Sequence, residues 1–184
     1  LDEQKQTFYI IEKIEEISKK KLKFQNELIP STLLIQRSGL SRHILIHVHM
    51  HVITSISTFY FQPMIGGDLA LLQGLIKAVL AAEETQKNIL DKEFIENHTS
   101  GLLELRKEIE KTDWSFIELE SGLSRTQIEE VASLYCDSQK VIACWAMGLT
   151  QQKHAVSTIQ HIVNLLLLRG NIGRPGAGVC PVRG

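Results

Sequence analysis

The chain has 184 residues, 43% of them hydrophobic and 22% charged, enough for one ordinary domain with a buried core and too few for two full ones. Twenty Lys and Arg stand against 21 Asp and Glu, so no excess of charge points to nucleic acid or an anionic membrane as partner. Three cysteines, Cys136, Cys144 and Cys180, show no CxxC or other short metal spacing, and their odd number argues against a disulfide scaffold and for a reducing, cytoplasmic home.

Along the chain, residues 1 to about 25 place Phe8, Ile11, Ile14 and Ile17 at helical spacing among charges, which predicts an amphipathic helix. The stretch 43 to 61, "HILIHVHMHVITSISTFYF", is rich in β-branched and aromatic residues and predicts one or two strands. "GGD" follows as a turn, with Asp68 a candidate cap for a helix through "LALLQGLIKAVLAAEE". "LDKEFIENHT", "GLLELRKEIEK" and "DWSFIELE" read as short, surface-packed helical connectors. Ser124 stands three residues before Gln127, the spacing of a capping box, and predicts a helix to about Tyr135. "KVIACWA", 140 to 146, is a short apolar run of buried-strand type, "MGLTQQ" is a turn, and "HAVSTIQHIVNLLLLRG" is a long helix stopped at Gly170. This order predicts an α/β fold with a parallel sheet and covering helices, and ligands in such sheets sit beyond the carboxyl ends of the strands. The apolar run Leu165 to Leu168 is far shorter than the ~20 residues of a membrane span, and no basic-then-apolar signal pattern opens the chain, which starts at Leu1.

Three stretches carry candidate chemistry. In "AMGLTQQKHA", Gly148 permits close backbone approach, Thr150 and Gln151 are hydrogen-bonding side chains, and the following helix start favours a phosphate; a plain strand-to-helix turn is the alternative, since the loop is neither a Walker A nor a GxGxxG motif. In "GNIGRPGAGVCPVRG", Gly173, Gly176 and Gly178 exceed the needs of a single turn, and Arg174 and Arg183 are candidate phosphate partners or simply solvated. "HILIHVHMH" holds His43, His47, His49 and His51, of which the last three would share one face of a strand. At about 7 Å per two-residue step they are spaced too widely to share one ion easily, and no carboxylate or cysteine is near in sequence to complete a site. His98 and His161 read as structural or surface residues, Cys136 and Cys144 as small core residues, and Cys180 as packing with no visible activating group.

The joint pattern "GLTQ" followed by "IVNLLLLRGNIGRPGAGVCPVRG" resembles the molybdopterin oxidoreductases, and most closely their formate-dehydrogenase-alpha-like branch. The likeness extends back through "SGLSRTQIEEVASLY", "FIENHTSG" and "STFYFQPMIGGDLALLQGLIK" and fades before about Ile56, dividing the chain into a poorly matching segment 1–55 and a partial domain 56–184 cut at its C-terminus. The resemblance implies a fragment of Rossmann-like middle domains from a large enzyme that holds molybdenum, or sometimes tungsten, between two pterin guanine dinucleotides. Such enzymes commonly carry a 4Fe-4S cluster near their N-terminus and oxidise a small substrate such as formate by two electrons, passing them to an acceptor that the sequence does not name. Residue by residue, it puts Gly148, Thr150, Gln151 and His154 beside one dinucleotide, and Gly173, Gly176, Gly178 and Arg183 near the cofactor layer.

Two departures accompany the match. Gln152 stands where relatives often have histidine, which puts in doubt a proton-handling role for that position. Residues 1–55 hold only scraps of the expected Rossmann-type strand, as if the reading frame had slipped. The cluster cysteines, metal ligands and substrate-side residues lie upstream in the family, so no catalytic residue is named here. A nucleotide-binding or scaffold module without redox activity, and a histidine-based metal-binding protein, are the alternative readings.

Overall fold

The computed structural model describes residues 32–37, 42–47 and 59–182; the amphipathic helix predicted for residues 1–25 lies outside them, as do His49, His51 and Arg183. The elements are β1 (Thr32–Arg37), β2 (Arg42–His47), β3 (Phe59–Phe61), α1 (Asp68–Gln86), α2 (Lys92–His98), α3 (Leu102–Lys111), α4 (Trp114–Ser121), α5 (Arg125–Asp137), β4 (Val141–Trp145), α6 (Met147–Thr150), α7 (Ala155–Leu168) and β5 (Gly178–Pro181).

The strands form a sheet in the order β3-β2-β1-β4-β5. It is mixed, which corrects the expectation of a parallel sheet: β1 runs antiparallel to both β2 and β4, while β2–β3 and β4–β5 are parallel pairs. The connections explain this. Only four residues separate β1 from β2, enough for an antiparallel pairing, whereas a parallel pair needs a crossover of a dozen or more residues. The chain from β4 to β5 has that length and returns through α6 and α7. β1 itself was not predicted; "TLLIQR" shows no polar alternation to mark it.

The core lies between the helices and one face of β4. Val141, Ala143 and Trp145 alternate toward it and join Leu71, Leu75, Ile76 and Val79 of α1 with Ile128 and Val131 of α5 and Ile162 and Leu165 of α7. Each Val, Leu or Ile among them stabilises the fold by about 1.5–3 kcal/mol when fully buried. The central helix α1 packs against α4, α5 and α7. Gly74 lets it approach closely, because a Cβ there would stand 2.9 Å from Ile117 Cγ2 and 3.1 Å from Ile128 Cγ2. "DWSFIELE" is therefore more than a surface connector, since its Ile117 is fully buried.

Local signals set the helix ends. Ser124 and Gln127 make the predicted reciprocal capping box at the start of α5. Asp68 does not cap α1: Gly67 occupies that position and Asp68 is the first helical residue, where its charge still favours the helix N-terminus. Asp91 caps α2, accepting a hydrogen bond from Phe94 N at 3.0 Å. At the end of α7, Gly170 has φ +58, and a Cβ there would lie 2.5 Å from Asp91 Oδ2, so only glycine lets the helix stop against that cap.

Candidate functional site

Beyond the carboxyl end of β4, "MGLTQQ" forms the single-turn helix α6 followed by a turn into α7. Gly148 is buried within that turn, Thr150 and Gln151 are exposed, and His154 is exposed at the cap position of α7. Thr150 Oγ1 donates to Met147 O at 3.3 Å, and the His154 carbonyl accepts from both the N–H and the hydroxyl of Thr158 at 2.9 Å. Gln152 turns inward. Its Nε2 donates to Oδ2 of the buried Asp68 at 3.0 Å, tying the loop to the start of α1. The end of β5 arrives at the same place, with Val182 N donating to Trp145 O at 2.7 Å.

The glycine-rich loop lies at the opposite end of the strand. Gly178 pairs with Ile142 in the parallel register and Pro181 with Trp145, so the loop 170–177 enters at the amino end of β4. Four residue steps at about 3.3 Å put roughly 13 Å of strand between the two ends. Thr150, Gln151 and His154 thus follow the end of β4 that Val182 meets, and not the end entered by the loop of Gly173, Gly176 and Gly178, which all have positive φ. Lys140 flanks Gly176, its Cδ 3.2 Å from where a Cβ would sit, while nothing lies within 4 Å of the corresponding positions at Gly173 and Gly178.

Most polar groups at this amino end bond one another, Nε of Arg169 and of Arg174 being buried without a hydrogen-bond partner among the described residues. Arg174, a candidate phosphate partner from sequence, donates through Nη2 to Asn171 Oδ1 at 2.7 Å, to Arg169 O at 3.3 Å and to Gln139 O. Asn171 is fully buried, and its Oδ1 also accepts from Val141 N at 3.2 Å, fixing the first residue of β4. Its Nδ2 donates to the Tyr135 hydroxyl at 3.4 Å, which in turn donates to Leu165 O at 2.6 Å. Arg169 donates to Cys136 O and Ser138 O and lies 5.6 Å from the centre of the Tyr135 ring. Burial pushes the Tyr135 phenol pKa far upward, so this network holds a neutral hydroxyl.

No family model matches the chain. Protein YdeP of Escherichia coli (strain K12) is 43% identical over 136 residues, covering 71% of this chain and 18% of that protein. Formate dehydrogenase H of the same organism is 34% identical over 119 residues, 65% of this chain and 16% of that protein. Among solved structures, acetylene hydratase from Pelobacter acetylenicus shares the fold with a TM-score of 0.62 at 19% identity, over 72% of this chain and 18% of that one. The chain belongs to the molybdopterin oxidoreductase family. It spans about a fifth of the length of the curated relatives it matches.

For a molybdopterin oxidoreductase, the donor set at the carboxyl end of β4 is chemically suitable for a guanine dinucleotide. It offers an exposed hydroxyl, an exposed amide and an exposed imidazole rather than apolar cover. The amino-end loop fits less well as an ionic partner, because Nη2 of Arg174 is already held by protein acceptors, but its backbone at Gly173 and Gly178 faces open space. Sequence reading missed Asp68 as the partner of Gln152 and Asn171 as the organiser of the loop. Eighty-four residues separate the first pair, and no local spacing announces it.

Elsewhere, His98 stacks on Phe94 with ring centres 5.2 Å apart. The buried His161 donates from Nδ1 to Ser157 O at 2.8 Å, and its Nε2 has no hydrogen-bond partner among the described residues. A cavity of about 250 Å³ between α2, α3 and α7, lined by Thr99, Leu105, Glu108 and Asn164 among others, includes none of the predicted site residues. Among the described residues, no group of three or more His, Cys, Asp and Glu is arranged to hold a metal ion, and no helix is long and apolar enough to cross a membrane.

Proposed function

We propose that the segment from Trp145 to His154, together with the residues following Val182, borders one dinucleotide of a molybdenum bis(molybdopterin guanine dinucleotide) cofactor. The observation that supports this is the convergence of exposed hydrogen-bonding side chains and the end of β5 on the carboxyl end of β4, where ligands of α/β sheets bind. Gly148 provides close backbone approach, Thr150 and Gln151 hydrogen-bond the ligand's polar edge, His154 flanks it, and Arg183 supplies the positive charge for a phosphate. Gly173, Gly176 and Gly178 approach a different part of the cofactor layer from that met by Thr150 and Gln151, since a strand's length separates the two sets. When bound, the cofactor supplies two-electron redox chemistry at molybdenum; the residues of this chain bind and orient it, and none is assigned a catalytic step.

The protein of which these loops form part is, on this reading, an oxidoreductase of formate or a similarly small molecule, with an electron-transfer partner and a 4Fe-4S cluster held outside the segment described. Purification of the full-length protein, metal analysis by mass spectrometry and release of the oxidised pterin for fluorescence test it. Molybdenum or tungsten together with a guanine-bearing pterin is the expected result. A well-folded protein lacking both overturns the proposal and leaves a nucleotide-binding or scaffold module in its place.

A further inference from the structure

β4 and β5 bring two of the three cysteines together. Cys144 and Cys180 are register partners in the parallel ladder, although 36 positions apart in sequence. Register partners on adjacent strands present their side chains on the same face, and adjacent strands lie about 4.8 Å apart, inside the 4.4–6.8 Å range of Cα separations that a disulfide bridges. That face is the one opposite Val141, Ala143 and Trp145, so neither thiol is locked in the helical core. Cys180 is near enough to Cys144 to act on its thiol, alongside burial. Cys144 is buried and Cys180 only partly so, on a strand that ends the sheet. Cys136 sits apart on α5, packed against the core.

We propose that Cys144 and Cys180 are a redox-active thiol pair which a low-molecular-weight disulfide converts into a reversible disulfide between β4 and β5. The more accessible Cys180 reacts first: its thiolate attacks one sulfur of the small disulfide, forming a mixed disulfide and releasing one small thiolate. The Cys144 thiolate then attacks Cys180 Sγ, closing the cross-strand bond and releasing the second. The two protein thiols lose two electrons and two protons in total, and the small disulfide is reduced to two thiols. Burial pushes the Cys144 thiol pKa far up, which makes the closing step the slower one and gives it a steep rise with pH. The bond ties the strand leading into α6 to the edge strand beside it.

The test uses the full chain, incubated with excess glutathione disulfide across a pH series, alkylated, digested with trypsin without reduction and read by mass spectrometry. The expected product joins the peptide 141–153 to the peptide 170–183, accumulates faster at higher pH, leaves Cys136 open to alkylation and disappears on addition of dithiothreitol. Cys144→Ser traps the mixed disulfide on Cys180, and Cys180→Ser slows modification of Cys144 by at least about tenfold. Repetition in denaturant checks that the pairing comes from the fold, since selectivity for this pair over Cys136 is then lost. A mixed disulfide that persists on Cys180 of the unsubstituted chain, cross-links that include Cys136 under native conditions, or no loss of thiols overturns the proposal.

Discussion

The two ends of β4 are both served by glycine-bearing loops, yet they treat their polar groups in opposite ways. At the carboxyl end, Thr150, Gln151 and His154 stand in solvent and only Gln152 is drawn inward, onto Asp68. At the amino end, Arg169, Arg174, Asn171 and Tyr135 bond one another and the backbone carbonyls around them, although Nε of each arginine is buried without a hydrogen-bond partner among the described residues. The difference teaches that glycine and arginine content alone does not identify a ligand loop. A guanidinium that holds three protein acceptors is part of the scaffold, and a neutral side chain left in water is the better candidate for binding. Substitutions at the amino end should therefore cost stability, and those at the carboxyl end should cost almost none.

The largest effect is expected at Asn171. Replacing it by Ala leaves the Val141 N–H and one Arg174 donor without their shared acceptor and opens a small cavity, at a cost of roughly 2–4 kcal/mol. Urea denaturation followed by circular dichroism should show the midpoint falling in proportion; an unchanged midpoint would mean that the amino end is no more built than the carboxyl end. Gly170→Ala should come next, at about 2 kcal/mol, from the left-handed backbone and the displacement of Asp91 from the cap of α2. Amide exchange in α2 should then rise before exchange in α5 does.

Some of this contrast was legible in the sequence and some was not. Short-range signals read well: Ser124 and Gln127 announce the start of α5, and the apolar run at 141–145 followed by a long helix announces β4 and α7. They depend on contacts within a few residues, which spacing encodes directly. Gly148 and Gly173 looked alike as loop glycines because what separates them is the register of Ile142 with Gly178, a pairing made across a 32-residue connection. Arg174 looked available because its acceptors include the carbonyl of Gln139, 35 positions earlier. The antiparallel placement of β1 escaped for the same reason, as only assembly of the sheet decides which strands become neighbours.

Glu83 offers a check at neither end of β4, with a smaller effect and a distinctive pH dependence. Burial acts to raise its pKa, but hydrogen bonds from Lys92 and from the backbone N–H groups of Leu90 and Ile89 outweigh this and hold it below the ordinary 4.5. A depressed folded-state pKa means stability that is present in full above the ordinary value and lost as pH falls through the folded one. The stability gap between the unsubstituted chain and Glu83→Gln should therefore be constant from neutral pH to about 5 and shrink below the ordinary carboxylate range. A gap that persists unchanged at pH 3 would assign the effect to packing rather than charge.

Thr150→Ala and Gln151→Ala complete the series with the smallest expected cost. Thr150 makes only a local bond to Met147 O, and surface substitutions of this kind stay within about 0.5 kcal/mol. The pair is the sharpest test of the comparison because its two readouts should separate. Thermal melting of the double variant should match that of the unsubstituted chain, while the pterin retained through purification of the full-length protein should fall severalfold. Retention that survives the double variant, with the fold intact, would move the ligand-facing role to the glycine-rich loop at the other end of β4. A fall in retention paralleled by a fall in melting temperature would show instead that the carboxyl end is scaffold too, and that its exposed side chains matter through the position they give to α7.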